Sequence, residues 1–369
     1  MPRLKVLIAG GGTGGHLFPG MAIAEALEAQ GPTEVQFVGT ARGIEVKAIP
    51  EKGWPLHLLP VSGLYRVGPL RKALGLVKLP LALSKAAGLL IRYRPHLVIG
   101  VGGYASGPLL LMALALGFKT VIQEQNAYPG MTNRILGKRV PLAFVPFAGL
   151  EGVFKNPVVV GNPIRRAIID AAEAPQAKAA TPLVLALVGG SQGARALNQA
   201  LTGALPFLLP WAERLFIVHQ TGKLDYEEVA AAYAKYPQFK AQVAPFLEDM
   251  VSLYRRAHLF VCRSGSMVNE LCAMGCPSIL IPIPNSSGDH QLKNALALSE
   301  AGAARLLDQA DLTPESLAQA VAQLLEAPDQ LEQMSQAAKA LYPGDAAAKI
   351  AAEIRHFYHF DQPPFTEPL

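Results

Sequence analysis

Twice along this chain a continuous apolar run breaks into a glycine-rich turn and then takes up helical periodicity. The first instance is Leu4–Ala9 (LKVLIA), then Gly10–His16 (GGGTGGH), then a helix to about Gln30 that stops at Gly31-Pro32. The second is Leu183–Val188 (LVLALV), then Gly189–Gly193 (GGSQG), then a helix with Ala194, Leu197 and Leu201 on one face. A strand that is apolar at every position has to be covered on both sides, which is the condition of a parallel sheet wrapped by helices. Strand-like and helix-like segments alternate between the two instances, among them Val35–Gly39, Leu97–Val101 and Thr120–Ile122. The pattern predicts two successive parallel α/β units.

The chain has 369 residues, more than one core usually organises, and 51% of them are hydrophobic against 17% charged. Two buried cores are therefore affordable, and a disordered chain is excluded. Gly161-Asn162-Pro163 is a turn signal, and residues 170–182, rich in alanine and proline, read as the connector. The formal charge of +5 suits anionic substrates or an anionic surface and is too small to argue for nucleic acid. Cys262, Cys272 and Cys276 make no disulfide framework, and an odd count suggests a reducing compartment. Cys272 and Cys276, four apart on an expected helix, lack a nearby histidine, so apolar packing is favoured over a metal site. No cleavable signal region is expected at the N-terminus. Leu97–Phe118 is apolar enough to suggest a membrane span, but Gly102, Gly103, Gly107 and Pro108 make it a strand, a turn and a core helix.

Glycine at these turns has a chemical use. A strand turning into a helix presents unpaired N–H groups at the positive end of the helix dipole, and side chains would block a phosphate from reaching them. Gly10, Gly12 and Gly15 also satisfy the dinucleotide pattern G-x-G-x-x-G. That reading wants an acid at the end of the second strand. Here Thr40-Ala41-Arg42 follows, with Glu45 only after a further turn, and GGSQG breaks the pattern. A dehydrogenase is thus disfavoured. The glycine loops point instead to a nucleotide-linked substrate.

Seven motifs then occur in order: GGGTGGHLFPG (10–20), GVGGYASGP (100–108), QEQN (123–126), GNPIR (161–165), GGSQGA (189–194), CRSG (262–265) and DHQLKNA (289–295). From about residue 4 to 355 the chain resembles the MurG family of N-acetylglucosaminyl transferases of peptidoglycan synthesis. The resemblance implies a GT-B fold, α/β, with two Rossmann-like parallel-sheet domains facing a central cleft. It implies an acceptor- and membrane-binding domain over 1–164 and a UDP-GlcNAc-binding domain over 165–345. A C-terminal helix over 346–360 is expected to pack back on the first domain, with a loose tail over 361–369. The implied reaction moves N-acetylglucosamine from UDP-GlcNAc to the 4-hydroxyl of the muramyl sugar of lipid I, with inversion. No cofactor is expected. No D-x-D pair occurs in the chain, so no metal is expected either, and helix dipole and backbone donors at Ser191, Gln192 and Gly193 are the expected substitute.

His16 closes the first glycine loop, where an imidazole can accept a proton near neutral pH; its other reading is a helix cap. Glu124 is the competing base, or else a structural carboxylate at a strand end. The resemblance puts Thr13, Gly14, Gly15, Asn126 and Asn133 among substrate-binding positions. It brings Arg165 toward the nucleotide, sets Glu270 on the ribose hydroxyls, reads uracil through the backbone of Leu247 and places Gln291 on the sugar hydroxyls. Ser266 and Met267 belong to the same loop as Glu270. Four residues, Ser266–Asn269, separate Gly265 from Glu270 where the family has five.

Residues 64–94 mix seven Lys/Arg with many leucines and carry no acid. Such a stretch can lie on an anionic membrane surface; the other reading is an amphipathic core helix with a basic face. Pro69 and Pro80 are expected to break it into short pieces. A peripheral enzyme on the cytoplasmic face of the bacterial plasma membrane follows from the resemblance. The rivals are a UDP-GlcNAc 2-epimerase of the same fold and an inactive UDP-sugar-binding regulator.

Overall fold

The computed structural model describes residues 3–41, 43–61, 69–126, 128–146, 148–174, 181–190, 193–284, 286 and 289–360, and in the stretch from 69 it describes side chains from Val77 on. The chain divides into two compact units, one of Met1–Arg166 with Pro343–Leu369 and one of Ala167–Tyr342. The tail 361–369 lies outside the described residues.

The first unit is built on strands β1 (Leu4–Ala9), β2 (Thr33–Gly39), β3 (Leu56–Leu58), β4 (Leu97–Gly100), β5 (Thr120–Gln123), β6 (Leu142–Val145) and β7 (Pro157–Val159). They pair in parallel in the order β3-β2-β1-β4-β5-β6-β7. In β1 the pleat sends Leu4, Val6 and Ile8 into one buried cluster and Leu7 and Ala9 into another, so both faces are covered. The second unit carries β8 (Leu183–Val188), β9 (Leu215–Gln220), β10 (Lys240–Ala244), β11 (Leu259–Cys262), β12 (Ser278–Leu280) and β13 (Ala304–Leu306). Their order is β10-β9-β8-β11-β12-β13, again parallel. In each sheet the order reverses beside the first strand, between β1 and β4 and between β8 and β11. Ligands of open parallel sheets gather outside the carboxyl ends of the strands at such points.

The two units repeat one detail. The N–H of Lys5, in β1, donates to Nδ1 of His96, while the His96 N–H donates to the Lys5 carbonyl, each at 2.9 Å. In the second unit Val184 N–H donates to His258 Nδ1 at 2.9 Å and His258 N–H to the Val184 carbonyl at 2.8 Å. Each histidine precedes the strand that pairs with the first strand of its sheet, so the same clasp sets that register twice.

Three expectations are corrected. The connector does not begin at residue 170: the helix Arg166–Glu173 covers its first residues, because Ile168, Ile169 and Ala171 are buried. Within the basic stretch residues 69–93 form one helix, Pro69–Tyr93, which is not broken at its prolines. Pro69 takes the first helical position, where its missing N–H costs nothing, and Pro80 sits inside at the cost of one hydrogen bond. Cys272 lies on the helix Met267–Met274, but Cys276 falls beyond it, after Gly275 in the left-handed conformation. All three cysteines are buried, and burial pushes the Cys262 and Cys272 thiols up to about 12. No described helix is long and apolar enough to cross a membrane.

The C-terminal helix Ala346–Phe357 is capped by Asp345, whose carboxylate accepts the Ala348 N–H at 2.9 Å. Ile350, Ala351 and Ile354 enter the core of the first unit beside Leu4, Val6 and Leu27. Arg355 donates to the Leu27 carbonyl at 3.0 Å, and the Tyr358 hydroxyl donates to that of Thr120 at 2.8 Å.

Candidate active site

In the first unit the loop after β1 leads into the helix Gly14–Ala29. Thr13, its N-cap, is extended and makes no side-chain capping bond, so the first-turn amides of Gly14 and Gly15 are not capped by it. From behind, the buried Glu45 carboxylate accepts the N–H of Gly12 at 2.8 Å and both the N–H and hydroxyl of Thr40 at 2.9 Å. Glu45 therefore braces the loop. It does not stand at a strand end offering oxygens to a ribose, and the dinucleotide pattern loses its acid.

His16, half-buried in the first helical turn, faces the turn after β4. Gly102 there has φ +91°, and a Cβ on it would lie 2.7 Å from His16 Nδ1, so only glycine lets the imidazole lie against that backbone. The ring is met by the loop after β5: His16 Nδ1 is 2.9 Å from Gln125 Oε1. Gln125 is itself held by Val101, Gln123 and, through its carbonyl, by Asn162. The His16–Gln125 contact joins residues 109 apart in sequence. Gln125 was missed as a site residue; its position in QEQN was the available signal.

Glu124 is 1% exposed. One of its oxygens accepts the N–H groups of Gln125 and Asn126 at 2.9 Å and the Asn126 side chain at 3.1 Å. The other accepts Gly130 N–H at 3.0 Å and Asn133 Nδ2 at 2.8 Å. A buried carboxylate with five donors is holding its loop, which argues against the expectation of a base and for the structural alternative. Asn133, at 2% exposure, points its amide at Glu124. Asn126 remains half-buried at the loop surface. Arg165 has its guanidinium 5.4 Å from the ring centroid of Phe18, on the helix that carries His16.

In the second unit Gly190 and Gly193 both have positive φ, and a Cβ at Gly193 would run into the Thr221 carbonyl. Ser191 and Gln192 lie outside the described residues. Gln220, 3% exposed at the end of β9, ties this loop to the one after β10: its Nε2 donates to the Gly190 carbonyl and its Oε1 accepts the Leu247 N–H, each at 3.0 Å. The backbone of Leu247 thus has its donor engaged, which narrows the expected uracil contact to its carbonyl. Gln220, like Gln125, was not singled out from the sequence.

The loop after β11 reaches Ser266, the N-cap of the helix Met267–Met274, with Glu270 in the first turn. Ser266 is exposed and Met267 half-buried. Glu270 Oε2 accepts the Tyr254 hydroxyl at 2.6 Å, so the carboxylate is aimed despite the short loop before it. Gln291, on the helix His290–Glu300, accepts Ile283 N–H through Oε1 at 3.0 Å, which leaves its Nε2 turned toward Gly265. Ser264 and Asn294 lock the two loops together, the hydroxyl donating to the Gln291 carbonyl at 2.8 Å and the amide to the Ser264 carbonyl at 2.9 Å. Gln220 ends β9, and Gln125 lies just past β5, at the carboxyl ends of their strands.

Two parallel-sheet units, each with a glycine loop at its switch point, are the architecture of the two-domain nucleotide-sugar glycosyltransferases, and the sequence matches place the chain in that class. Residues 6–145 match the glycosyltransferase family 28 N-terminal domain and residues 184–353 its C-terminal domain. The chain is 44% identical over 357 residues to the UDP-N-acetylglucosamine–N-acetylmuramyl-(pentapeptide) pyrophosphoryl-undecaprenol N-acetylglucosamine transferase of Syntrophotalea carbinolica, covering 96% of this chain and 99% of that one. The crystal structure of Acinetobacter baumannii MurG superposes with a TM-score of 0.76 at 31% identity, over 96% of this chain and 100% of that one. The chain belongs to the MurG family of N-acetylglucosaminyl transferases. A UDP-N-acetylglucosamine 2-epimerase structure, at 16% identity and a TM-score of 0.67 over 99% of this chain and 100% of that one, shares the fold alone.

Proposed function

We propose that the chain moves N-acetylglucosamine from UDP-N-acetylglucosamine to the 4-hydroxyl of the muramyl sugar of undecaprenyl-pyrophosphoryl-muramyl-pentapeptide, with inversion at the anomeric carbon. The observation that carries this reading is the His16 imidazole, held by Gln125 at the loop after β1 with its Nε2 lacking a partner among the described residues. His16 takes the proton of the acceptor hydroxyl as its oxygen bonds to the anomeric carbon and the bond to the diphosphate breaks. General-base assistance of this kind contributes about 100- to 10,000-fold. Thr13, Gly14 and Gly15 supply first-turn amides on the same side, with Asn126 and Arg165 as further substrate contacts.

The departing UDP is held by the second unit. The loop with Ser191, Gln192 and Gly193, at the start of the helix Arg195–Ala204, stabilises the diphosphate by its amides and dipole in place of a metal. The Leu247 carbonyl reads the base, Glu270 takes the ribose hydroxyls, Gln291 Nε2 contacts the transferred sugar, and Ser266 and Met267 close the loop over the nucleotide. The enzyme attaches peripherally to the cytoplasmic face of the bacterial plasma membrane through residues 64–94.

The test is incubation of the full chain with UDP-N-acetylglucosamine and a short-chain analogue of the acceptor, with and without EDTA. UDP release coupled to a β-linked disaccharide, dependent on acceptor and persisting in chelator, is the expected result. An epimerised donor without acceptor points to the epimerase, absence of both products to a sugar-nucleotide binder, and loss in EDTA reversed by one divalent ion to a metal bridge.

A further inference from the structure

We propose that Gln125 is a positioning residue for the transfer, holding the His16 imidazole in the one tautomer whose Nε2 can accept a proton. The inference rests on the reading of His16 as the base. Its argument is a chain of amide orientations that begins at backbone carbonyls, which accept and never donate. Gln123 Nε2 lies 2.9 Å from the Glu124 carbonyl and 3.3 Å from Asn162 Oδ1, so the Gln123 oxygen faces the other way and is an acceptor. Gln125 Nε2 lies 2.8 Å from the Val101 carbonyl and bonds that Gln123 oxygen, so its hydrogens are directed at two acceptors. A flipped Gln125 would set its oxygen against both.

What remains of Gln125 is Oε1, 2.9 Å from His16 Nδ1. An amide oxygen carries no hydrogen, so the hydrogen of this bond sits on Nδ1. A neutral imidazole carries only one N–H, and Nε2 is therefore the bare nitrogen. The arrangement is rigid. Gln123, Gln125 and Asn162 are 0%, 6% and 8% exposed, Asn162 Nδ2 donates to the Gln125 carbonyl at 2.9 Å, and the imidazole lies against the backbone at Gly102. Without its partner the ring would sample both tautomers, and the Nε2–H form cannot take a proton at Nε2.

The experiment is ring-¹⁵N NMR of the full chain, with the His16 signals assigned by their loss in His16→Ala, alongside steady-state kinetics. The wild-type neutral ring should carry its hydrogen on Nδ1. Gln125→Met, similar in length but without an acceptor, should populate the Nε2–H form and lower kcat by about 10- to 100-fold, the usual range for loss of an orienting partner, with KM for UDP-N-acetylglucosamine nearly unchanged. A wild-type ring protonated on Nε2, or a Gln125→Met enzyme with unchanged tautomer and kcat, overturns the proposal, and if that variant does not fold the wild-type spectrum decides. An active His16→Ala enzyme sinks the base reading whatever the spectrum shows, whereas an essential His16 bearing its hydrogen on Nε2 sinks only the role of Gln125.

Discussion

His16 and Glu124 stand at neighbouring loops of one sheet and are held in opposite ways, the imidazole by a single partner and the carboxylate by five. Replacing His16 by alanine should lower turnover by about 100- to 10,000-fold while leaving UDP-N-acetylglucosamine affinity within a few-fold, since the nucleotide residues belong to the second unit. Isothermal titration beside initial rates separates the two quantities; weaker donor binding with turnover intact would make His16 a binding residue. Glu124→Gln should act on stability: an amide NH₂ turned toward buried donors leaves them unsatisfied, at about 1–3 kcal/mol each. A lowered denaturation midpoint is the sign of the structural role, and lost turnover at unchanged midpoint would restore Glu124 as a base. QEQN was legible as a motif, but the division of labour inside it was not. Gln125 acquires its meaning from a histidine 109 residues away, and Glu124 from donors fixed only when the loop closes on itself.

At the scale of elements, the strands and glycine turns were readable because their causes are local: apolar runs such as Leu183–Val188 demand cover on both faces, and a turn into a helix demands glycine where φ is positive. The helix Pro69–Tyr93 runs on through Pro80 because packing outweighs proline propensity, which is all that the local sequence displays; Ala82, Ala86, Leu89 and Leu90 bury one side of it. Its other side leaves Val77, Leu81 and Ile91 exposed, with Lys78, Lys85 and Arg92 along one flank. Residues 64–68 of the expected membrane stretch lie outside the described residues. An apolar face flanked by cations should bind vesicles containing phosphatidylglycerol and not neutral ones, with each cation near the surface worth about 1 kcal/mol. Lys78→Glu with Lys85→Glu should release the protein in a flotation assay and leave turnover on a water-soluble acceptor intact. Equal binding of the wild type and the double variant would mean that this helix is not the contact.

For the molecule as a whole, two sheets could be read from two repeats of one pattern, but the shared histidine clasp could not, since His96 and His258 act through partners in other strands. The first unit begins at one end of the chain and is completed at the other. Ending the chain at residue 342 should therefore damage the half it does not adjoin. Ile350 and Ile354 are fully buried against the first unit's strands, and each is worth about 1.5–3 kcal/mol within a total stability of about 5–15 kcal/mol. Limited proteolysis should then cut within residues 3–166 before residues 183–325; preferential cutting of the second half would refute this. The same layout sets an order of events during synthesis. A ribosome delivers β1 before the helix that covers it, with all of the second unit in between. The nascent first half must wait with an open apolar seam until the helix Ala346–Phe357 emerges, so a frameshift between the second unit and that helix would undo a part of the protein translated well before it.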